Sequence, residues 1–261
     1  MDIWLLNHLS TFALCLLICG GAVFVAVAGC VMARRWMPKI ADGAYNEMIG
    51  LVLGMYAAIY GIILAFVVVA EWEALGAAEE NVAAEASQTA EVLREAAAFP
   101  PEQRDRVTAA MGAYVHAVVD KQWTPMREGR PDPELTNAEI TELYTVYQTY
   151  EPKTAAEQAY YEQSVATLAD LAAARRTRLA NAEQELPMLL TVLVYGGAVV
   201  MLPLTFLYGI ESRRAQLMFV TCVAGLIGVS LVLVLTLNRP FSGELSVSPA
   251  PFKEGVLAQF W

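Results

Sequence analysis

Four long stretches without a charged residue constrain this chain more than any other feature of its sequence. They are residues 9–33, 48–70, 186–208 and 216–237. Each reaches the roughly 20 helical residues needed to cross a bilayer, where lipid offers backbone groups no other partner. We therefore predict four transmembrane helices. The first is too long for a signal peptide and follows no basic region, so we expect it to stay in the mature chain.

The charged residues are concentrated between the second and third predicted spans. Only 17% of all residues are charged, against about 25% in soluble domains, and the net charge is −10. Residues 71–185 hold 21 acids and 10 bases, whereas the rest of the chain is nearly neutral. The sequence thus predicts transmembrane helices 1 and 2 in residues 1–70, an acidic extramembrane domain in 71–185, transmembrane helices 3 and 4 in 186–237 and a C-terminal tail in 238–261. This composition argues against a soluble enzyme and against a nucleic-acid partner.

Basic residues in the short connections indicate the orientation in the membrane. Short loops rich in Lys and Arg mark the cytoplasmic face, and the connections hold Arg34, Arg35, Lys39, Arg213 and Arg214. This pattern favours an acidic domain on the outer side, in the periplasm of a bacterial inner membrane. Three arginines on the domain side, within about 11 residues of the third span, favour the opposite orientation, so both remain open.

Two long helices are predicted to connect the domain to the spans. No proline occurs between Pro38 and Pro100, and the stretch after Ala70 is rich in helix formers, so the second membrane helix is predicted to continue to about Ala98. Residues 153–186 contain neither Pro nor Gly and are predicted to lead directly into the third span. The predicted fold is an all-α membrane protein with four transmembrane helices, of which helices 2 and 3 extend into an extramembrane helical bundle.

Apolar residues recur at steps of three and four along both extensions, over residues 75–99 and 161–186, which is the spacing of packed helices. Each seam contains one charged residue, Glu85 in the first and Arg175 in the second. At about 1.5 Å per residue their heights above the membrane differ by only roughly 5 Å. We predict that Glu85 and Arg175 pair and fix the register of the two helices. Alternatively, each side chain reaches water from the edge of the seam.

Shorter helices are predicted between the two long ones. Pro100 and Pro101 mark a break and a first helical turn, and a turn rich in Pro and Gly precedes a helix over about 137–150. The first of these helices has an apolar face formed by Val107, Met111, Tyr114 and Val118. Five tyrosines are expected to pack together or to form a binding surface, namely Tyr144, Tyr147, Tyr150, Tyr160 and Tyr161.

Residue patterns that support catalysis are nearly absent. His8 and His116 are the only histidines, so the two closely spaced histidines of a zinc-peptidase motif are impossible here, and no glycine-rich loop resembles a phosphate cradle. The acids of the domain occur singly, at the spacing of solvated helix surfaces. We therefore expect no enzymatic activity, no cofactor and no metal site.

The second span has a face of small residues that allows another helix backbone to approach closely. Its members are Gly50, Gly54, Ala57, Ala58, Gly61 and Ala65. Tight packing is the common use of such a face, but around a symmetry axis it can also surround a pore. Glu47 precedes this span, and Glu71 and Glu73 follow it. In an oligomer these acids would form carboxylate rings that favour cations, whereas the alternative is that they are solvated helix ends.

Four segments of the chain resemble one known family. They are YGIILAFVVVAEWE at the exit of the second span, QWTPMREG, RRTRL and the tail RPFSGELSVSPAPF. Together they are similar to the bestrophin-like family of bacterial membrane proteins over nearly the whole chain. The resemblance implies a channel-like protein with four membrane helices, by analogy with bestrophin anion channels, and transfers no ion-binding residue. The chain lacks an acidic calcium-clasp cluster after its fourth span, so calcium gating and anion preference are not implied.

The sequence leads to two functional hypotheses. The first is a homo-oligomeric ion channel in the lipid bilayer, slightly favouring cations, with the small-residue face around its pore. The second is a membrane-anchored interaction or sensing protein that conducts no ions. An oligomer with a continuous central opening would favour the channel, and a monomer or dimer with a filled membrane core would favour the sensor.

Overall fold

The computed structural model describes residues 2–36, 43 and 45–261, so Lys39 of the basic connection lies outside the described residues. The chain divides into two compact units. The first, called the membrane unit below, comprises Met1–Glu73 and Glu185–Asn238. The second, called the extramembrane unit, comprises Ala74–Gln184 and Arg239–Trp261.

The described residues form helices and no strand. In chain order the α-helices are α1 (Asp2–His8), α2 (Thr11–Trp36), α3 (Asn46–Ala96), α4 (Pro101–His116), α5 (Trp123–Arg127), α6 (Asn137–Gln148), α7 (Ala155–Glu183), α8 (Met188–Leu207) and α9 (Arg213–Leu237). A π-helical turn spans Ala117–Gln122, and 3-10 helices span Pro133–Thr136, Ala250–Lys253 and Gly255–Phe260. The all-α prediction is confirmed.

Four helical stretches of the described chain are long and apolar enough to cross a membrane. They cover the four predicted spans except for residues 9–10 of the first and residue 208 of the third. The second of them is α3, which runs without interruption to Ala96. This confirms that the second membrane helix extends far beyond its apolar part. The short helix α1 was not predicted; it is separated from α2 near Ser10, whose hydroxyl accepts a hydrogen bond from the Ala13 amide at 3.2 Å.

The approach to the third span differs from the prediction of direct continuity. Helix α7 ends at Glu183, and α8 begins at Met188. Gln184 and Pro187 between them have extended backbone, with ψ of 131° and 136°. Proline has no N–H for the helical ladder and disfavours helical geometry in the residue before it, so Pro187 separates the two helices. The backbone amide of the buried Leu186 lies in this break and donates to the Asn238 side-chain oxygen at 2.6 Å.

Close contacts between small residues hold the membrane unit together. Ala26 and Cys30 of α2 pack against Val220 and Ala224 of α9. Further along the same pair of helices, a Cβ added at Gly228 would lie 2.8 Å from the Cα of Cys19. The helix backbones therefore approach to a distance that only glycine permits, which is a common way for membrane helices to associate.

The core of the extramembrane unit confirms the two predicted seams. The apolar residues of both seams are buried or half-buried between α3 and α7. The helices are antiparallel, since Asn81 Nδ2 donates to the Ala174 carbonyl at 3.0 Å and Thr167 Oγ1 donates to Glu95 at 3.0 Å. The apolar face predicted for α4 is buried in the same core.

Most of the predicted tyrosine group packs internally. The Tyr150 ring lies 5.1 Å from that of Phe99, and the rings of Tyr147 and Tyr161 lie 6.0 Å apart. Tyr144 packs at the edge of the same core, whereas Tyr160 is exposed. Aromatic packing is therefore the main role of this group.

The C-terminal tail completes the core of the extramembrane unit. Phe241 and Phe252 are buried and contact the Trp123 ring edge-on, at centroid distances of 5.8 Å and 6.5 Å. The Ser242 hydroxyl donates to the Arg127 carbonyl at 2.7 Å. The tail is thus a structural element of this unit, and burial of its two phenylalanines contributes to the unit's stability.

Candidate functional site

The membrane-spanning part of α3 shows three different faces. One face is buried within the membrane unit and carries Tyr60 and Val67. A second is exposed and bulky, consisting of Leu51, Met55, Ile59, Ile62, Phe66 and Val69. The third, called the small-residue strip below, is also exposed and consists of Gly54, Ala58, Gly61 and Ala65. The predicted face of small residues is therefore largely free of contacts within one chain.

The buried face of α3 is held by tyrosines against α8. Tyr60 donates its hydroxyl hydrogen to the Val194 carbonyl at 2.7 Å, and Tyr56 donates to the Gly197 carbonyl at 3.2 Å. A side chain added at Gly197 would collide with the Tyr60 ring. Helix α3 therefore packs on α8 through aromatic residues against a glycine, and the small-residue strip takes no part in this contact.

The glycines of α3 are not equivalent. A Cβ added at Gly50 would lie 3.2 Å from the Tyr208 ring, so Gly50 is part of the packing within the chain. At Gly54 and Gly61 an added Cβ would meet nothing within 4 Å. The middle of the small-residue strip is thus open to a second helix or to a pore.

Two apolar grooves run beside the strip. One, of about 510 Å³, is lined by Ala57, Gly61 and Ala65 of α3 and by Ile227 and Leu233 of α9, among others. The other, of about 420 Å³, is lined by α3 residues including Gly50, Gly54 and Ala57, and by Met201 and Val223. No charged side chain lines either groove. The strip and the grooves can therefore pack against another apolar surface or line an apolar pore. They contain no charged side chain that could bind an ion.

Carboxylates lie at both ends of the strip. Glu47 is exposed in the first turn of α3, Glu71 is half-buried and Glu73 is exposed. Glu47 and Glu71 are 24 positions apart on one helix, or about 36 Å at 1.5 Å per residue. This separation exceeds the roughly 30 Å hydrocarbon core, so both acids can reach the polar surfaces of a bilayer.

The first of these ends is fixed by Asn46. Its side-chain nitrogen donates to the Gly209 carbonyl at 2.6 Å, and its side-chain oxygen accepts from the Gly209 amide at 2.9 Å. These paired bonds tie the start of α3 to the connection between α8 and α9. Glu47 is the next residue, so these bonds also fix the position of its backbone.

In the extramembrane unit, Glu85 pairs with Arg178 rather than with Arg175, so the predicted partner is wrong by about one helical turn. Arg178 Nε and Nη2 donate to the two carboxylate oxygens of Glu85 at 2.7 Å and 3.1 Å, and both side chains are fully buried. Tyr114 also donates to this carboxylate, and Arg178 donates to Gln122 at 2.8 Å. The pair is thus hydrogen-bonded on both sides, which a buried ion pair requires.

Arg175 has different partners. Its Nε donates to the Thr136 hydroxyl at 2.7 Å, and its Nη2 donates to the Asn137 side chain at 2.9 Å and to the Pro133 carbonyl. Arg175 therefore secures the start of α6, while Arg178 reaches across the seam. Burial lowers the pKa of Arg175.

The environment of the ion pair also changes the titration of its neighbours. Burial raises the pKa of the Tyr114 phenol well above its usual value, and the negative charge of Glu85 raises it further. Burial opposes the charged form of Arg178, but the Glu85 carboxylate outweighs that effect and raises the pKa of the guanidinium. Arg178 thus remains positively charged.

Sequence reasoning missed Arg178, Tyr114 and Gln122 as members of this cluster. Arg178 lies three positions after Arg175 and does not belong to the seam's repeat. The length of the arginine side chain was the one feature of the sequence that indicated a possible contact with Glu85. Tyr114 was recognised as core, and its hydroxyl required a buried partner. Gln122 gave no signal, because the π-helical turn that ends with it was not predicted.

The described residues contain no group of three or more His, Cys, Asp or Glu side chains placed to hold a metal ion. His8 contacts the Trp4 carbonyl in the membrane unit, and His116 contacts Asp120 at 3.1 Å in the extramembrane unit.

Comparison with known proteins identifies the family. A family model described as a Bestrophin-like domain matches residues 20–252. No curated protein and no solved structure matches the chain. The matched region includes all four membrane-spanning stretches, either wholly or in large part, together with the intervening extramembrane segment and most of the tail. The chain therefore belongs to the Bestrophin-like family of membrane proteins.

Proposed function

We propose that the protein is a homo-oligomeric ion channel in which the small-residue strip of α3 surrounds the pore. The observation that carries the proposal is the contrast among the glycines of the membrane unit. Gly197 and Gly228 are filled by neighbours of the same chain, whereas Gly54 and Gly61 have open space around them. Copies arranged around an axis would bring such strips together, because small residues let helix backbones approach closely.

The walls of this pore are apolar. The strip contains only Gly and Ala, and the adjoining grooves contain no charged side chain. An apolar constriction conducts only while water fills it, and it discriminates little between ions of opposite sign. Ion selection in this channel therefore occurs at the ends of α3.

Cations are favoured at those ends. Glu47, Glu71 and Glu73 place carboxylates at both mouths, and a ring of such groups attracts cations. Residues 71–185 add a net charge of −11 to the same chain. An acidic surface of this kind raises the local cation concentration, most strongly at low salt.

The acidic domain is proposed to face the periplasm from a bacterial inner membrane. Arg34 donates to the Gln216 side chain and to the Ile210 carbonyl, which brings the end of α2 to the connection before α9. Arg35, Arg213 and Arg214 are exposed at this same end of the membrane unit. A cluster of arginines in short connections supports a cytoplasmic location for this end.

The Glu71→Gln variant tests the carboxylate ring. Ionic current through planar bilayers containing the purified full chain is measured under a tenfold KCl gradient. The wild type is expected to favour K⁺ over Cl⁻. In the variant, loss of about 1 kcal/mol of charge interaction lowers the permeability ratio about fivefold.

Glu79→Gln is the matched control for that variant, because Glu79 is an exposed acid two turns further along the same helix. Its permeability ratio is expected to stay within about twofold of the wild-type value, since charges in water are screened beyond roughly 10 Å at 0.1 M salt. Equal ratios in wild type and Glu71→Gln would contradict the ring.

A membrane-anchored interaction or sensing protein is the second candidate. It is supported by the two apolar grooves beside the strip, which offer unfilled apolar surface to a helix of a different protein, and by the separate core of the extramembrane unit. Absence of current at every voltage, pH and calcium concentration tested would overturn the channel and favour this second function.

A further inference from the structure

A second buried acid in the extramembrane unit lacks a positively charged partner of the kind that Arg178 provides for Glu85. Glu95 of α3 is only 5% exposed. One carboxylate oxygen accepts a hydrogen bond from Thr167 at 3.0 Å, and the other makes no hydrogen bond with any described residue. No basic side chain of the described chain forms an ion pair with it. Glu95 is therefore a buried carboxylate without a positive protein partner.

Two further oxygens in the same region are also without a hydrogen bond among the described residues. They are the hydroxyls of Tyr147 on α6 and Ser164 on α7, both on buried side chains. Burial raises the pKa of Tyr147 to about 12; the Ser164 hydroxyl is close enough to oppose that shift, and the charge of Glu95 adds to it. Packing places these side chains in one region. Thr167 bonds directly to Glu95, and Ser164 lies one turn before Thr167 on α7. The Tyr147 ring packs 6.2 Å from that of Phe99, four residues after Glu95. We call these four oxygen-bearing side chains of α3, α6 and α7 the oxygen cluster.

The chemistry of the cluster identifies the ligand class. A carboxyl group taken out of water is neutralised either by a proton or by a positive partner, and a water molecule would satisfy the hydroxyls without neutralising a charge. Oxygen atoms alone are the ligands preferred by hard cations. The cluster contains a single acid, so a single positive charge balances it.

We propose that Glu95, Tyr147, Ser164 and Thr167 bind a monovalent alkali cation in the core of the extramembrane unit. The ion neutralises Glu95 and links α3, α6 and α7. This site is separate from the membrane-spanning strip, and the inference does not depend on whether the protein conducts ions.

The experiment compares thermal unfolding of the full chain in detergent in NaCl, in KCl and in choline chloride at equal ionic strength. Because a ligand that binds only the folded state stabilises it, at least one alkali salt is expected to raise the unfolding midpoint by about 3–10 °C over choline. The Glu95→Gln variant is expected to show equal midpoints in all three salts. Glu91→Gln, which removes an exposed acid one turn earlier on α3, is expected to keep the alkali effect.

Two results would overturn the site. One is a wild-type midpoint that is the same in choline as in both alkali salts, which would show that water or a proton satisfies the cluster. The other is an alkali effect that persists in Glu95→Gln. If Glu95→Gln does not fold, Tyr147→Phe replaces it, since that variant keeps the ring and removes one ligand. Its half-saturating cation concentration is expected to rise several-fold, and an unchanged concentration would overturn the proposal.

Discussion

Replacing Gly61 with leucine is expected to leave each protomer folded and to lower the ionic current about tenfold, which corresponds to a barrier higher by ~1.4 kcal/mol. Within one chain an added Cβ at Gly61 meets nothing within 4 Å, and leucine forms helices better than glycine. In the proposed assembly the same side chain would enter the pore or separate the helices around it. The measurement is current per reconstituted protein, together with the size of the purified oligomer.

The size measurement separates the two ways in which Gly61→Leu acts. An intact oligomer with reduced current would place Gly61 on the pore, and a dissociated oligomer would place it in an interface between copies. The conservative control is Ile59→Leu on the bulky face, which is expected to change neither property. Gly197→Leu is expected to prevent folding of the protomer itself, because the new side chain would collide with Tyr60. Wild-type current from Gly61→Leu would contradict the account.

The Glu85→Gln variant is expected to lose about 3–5 kcal/mol of folding free energy, because it leaves Arg178 buried without a counter-charge. The loss corresponds to a fall of roughly 6 °C or more in the unfolding midpoint. Thermal unfolding of the full chain, followed by circular dichroism, measures it. Glu79→Gln, at an exposed position on the same helix, is expected to change stability by less than about 0.5 kcal/mol.

A double-mutant comparison tests which arginine is the partner. Combining Glu85→Gln with Arg178→Met removes both charges, so the double variant is expected to be more stable than Glu85→Gln alone. Combining Glu85→Gln with Arg175→Met is expected to add the two losses, because Arg175 bonds to Thr136 and Asn137 instead. A larger coupling with Arg175 than with Arg178 would restore the pairing first predicted from the seam.

Much of the fold follows from two simple patterns in the sequence. Charge-free stretches of sufficient length predicted the four spans, because a helix satisfies its backbone hydrogen bonds within a single segment in lipid. Apolar steps of three and four predicted the antiparallel packing of α3 on α7, since that spacing keeps one helical face in contact with its neighbour. Both patterns report on many residues at once, so individual exceptions do not obscure them.

The parts that were missed depend on single residues. The seam places Arg175 at the height of Glu85, but a long side chain at Arg178 reaches the carboxylate instead, and periodicity does not describe where side chains end. The break before α8 follows from Pro187. The prediction of a continuous helix did not take into account that a proline disfavours helical geometry in the residue before it. The strip at Gly54 and Gly61 was recognised as a small-residue face, but the sequence does not show that Tyr60, on another face, makes the contact with α8.

The most direct test of the proposed channel is a structure of the purified chain determined in a lipid bilayer. The account predicts a closed ring of copies with a continuous central opening, in which Gly54 and Gly61 of every α3 face the axis and Glu47 and Glu71 lie near its two ends. A monomer, or a dimer whose membrane core is filled by side chains, would contradict it.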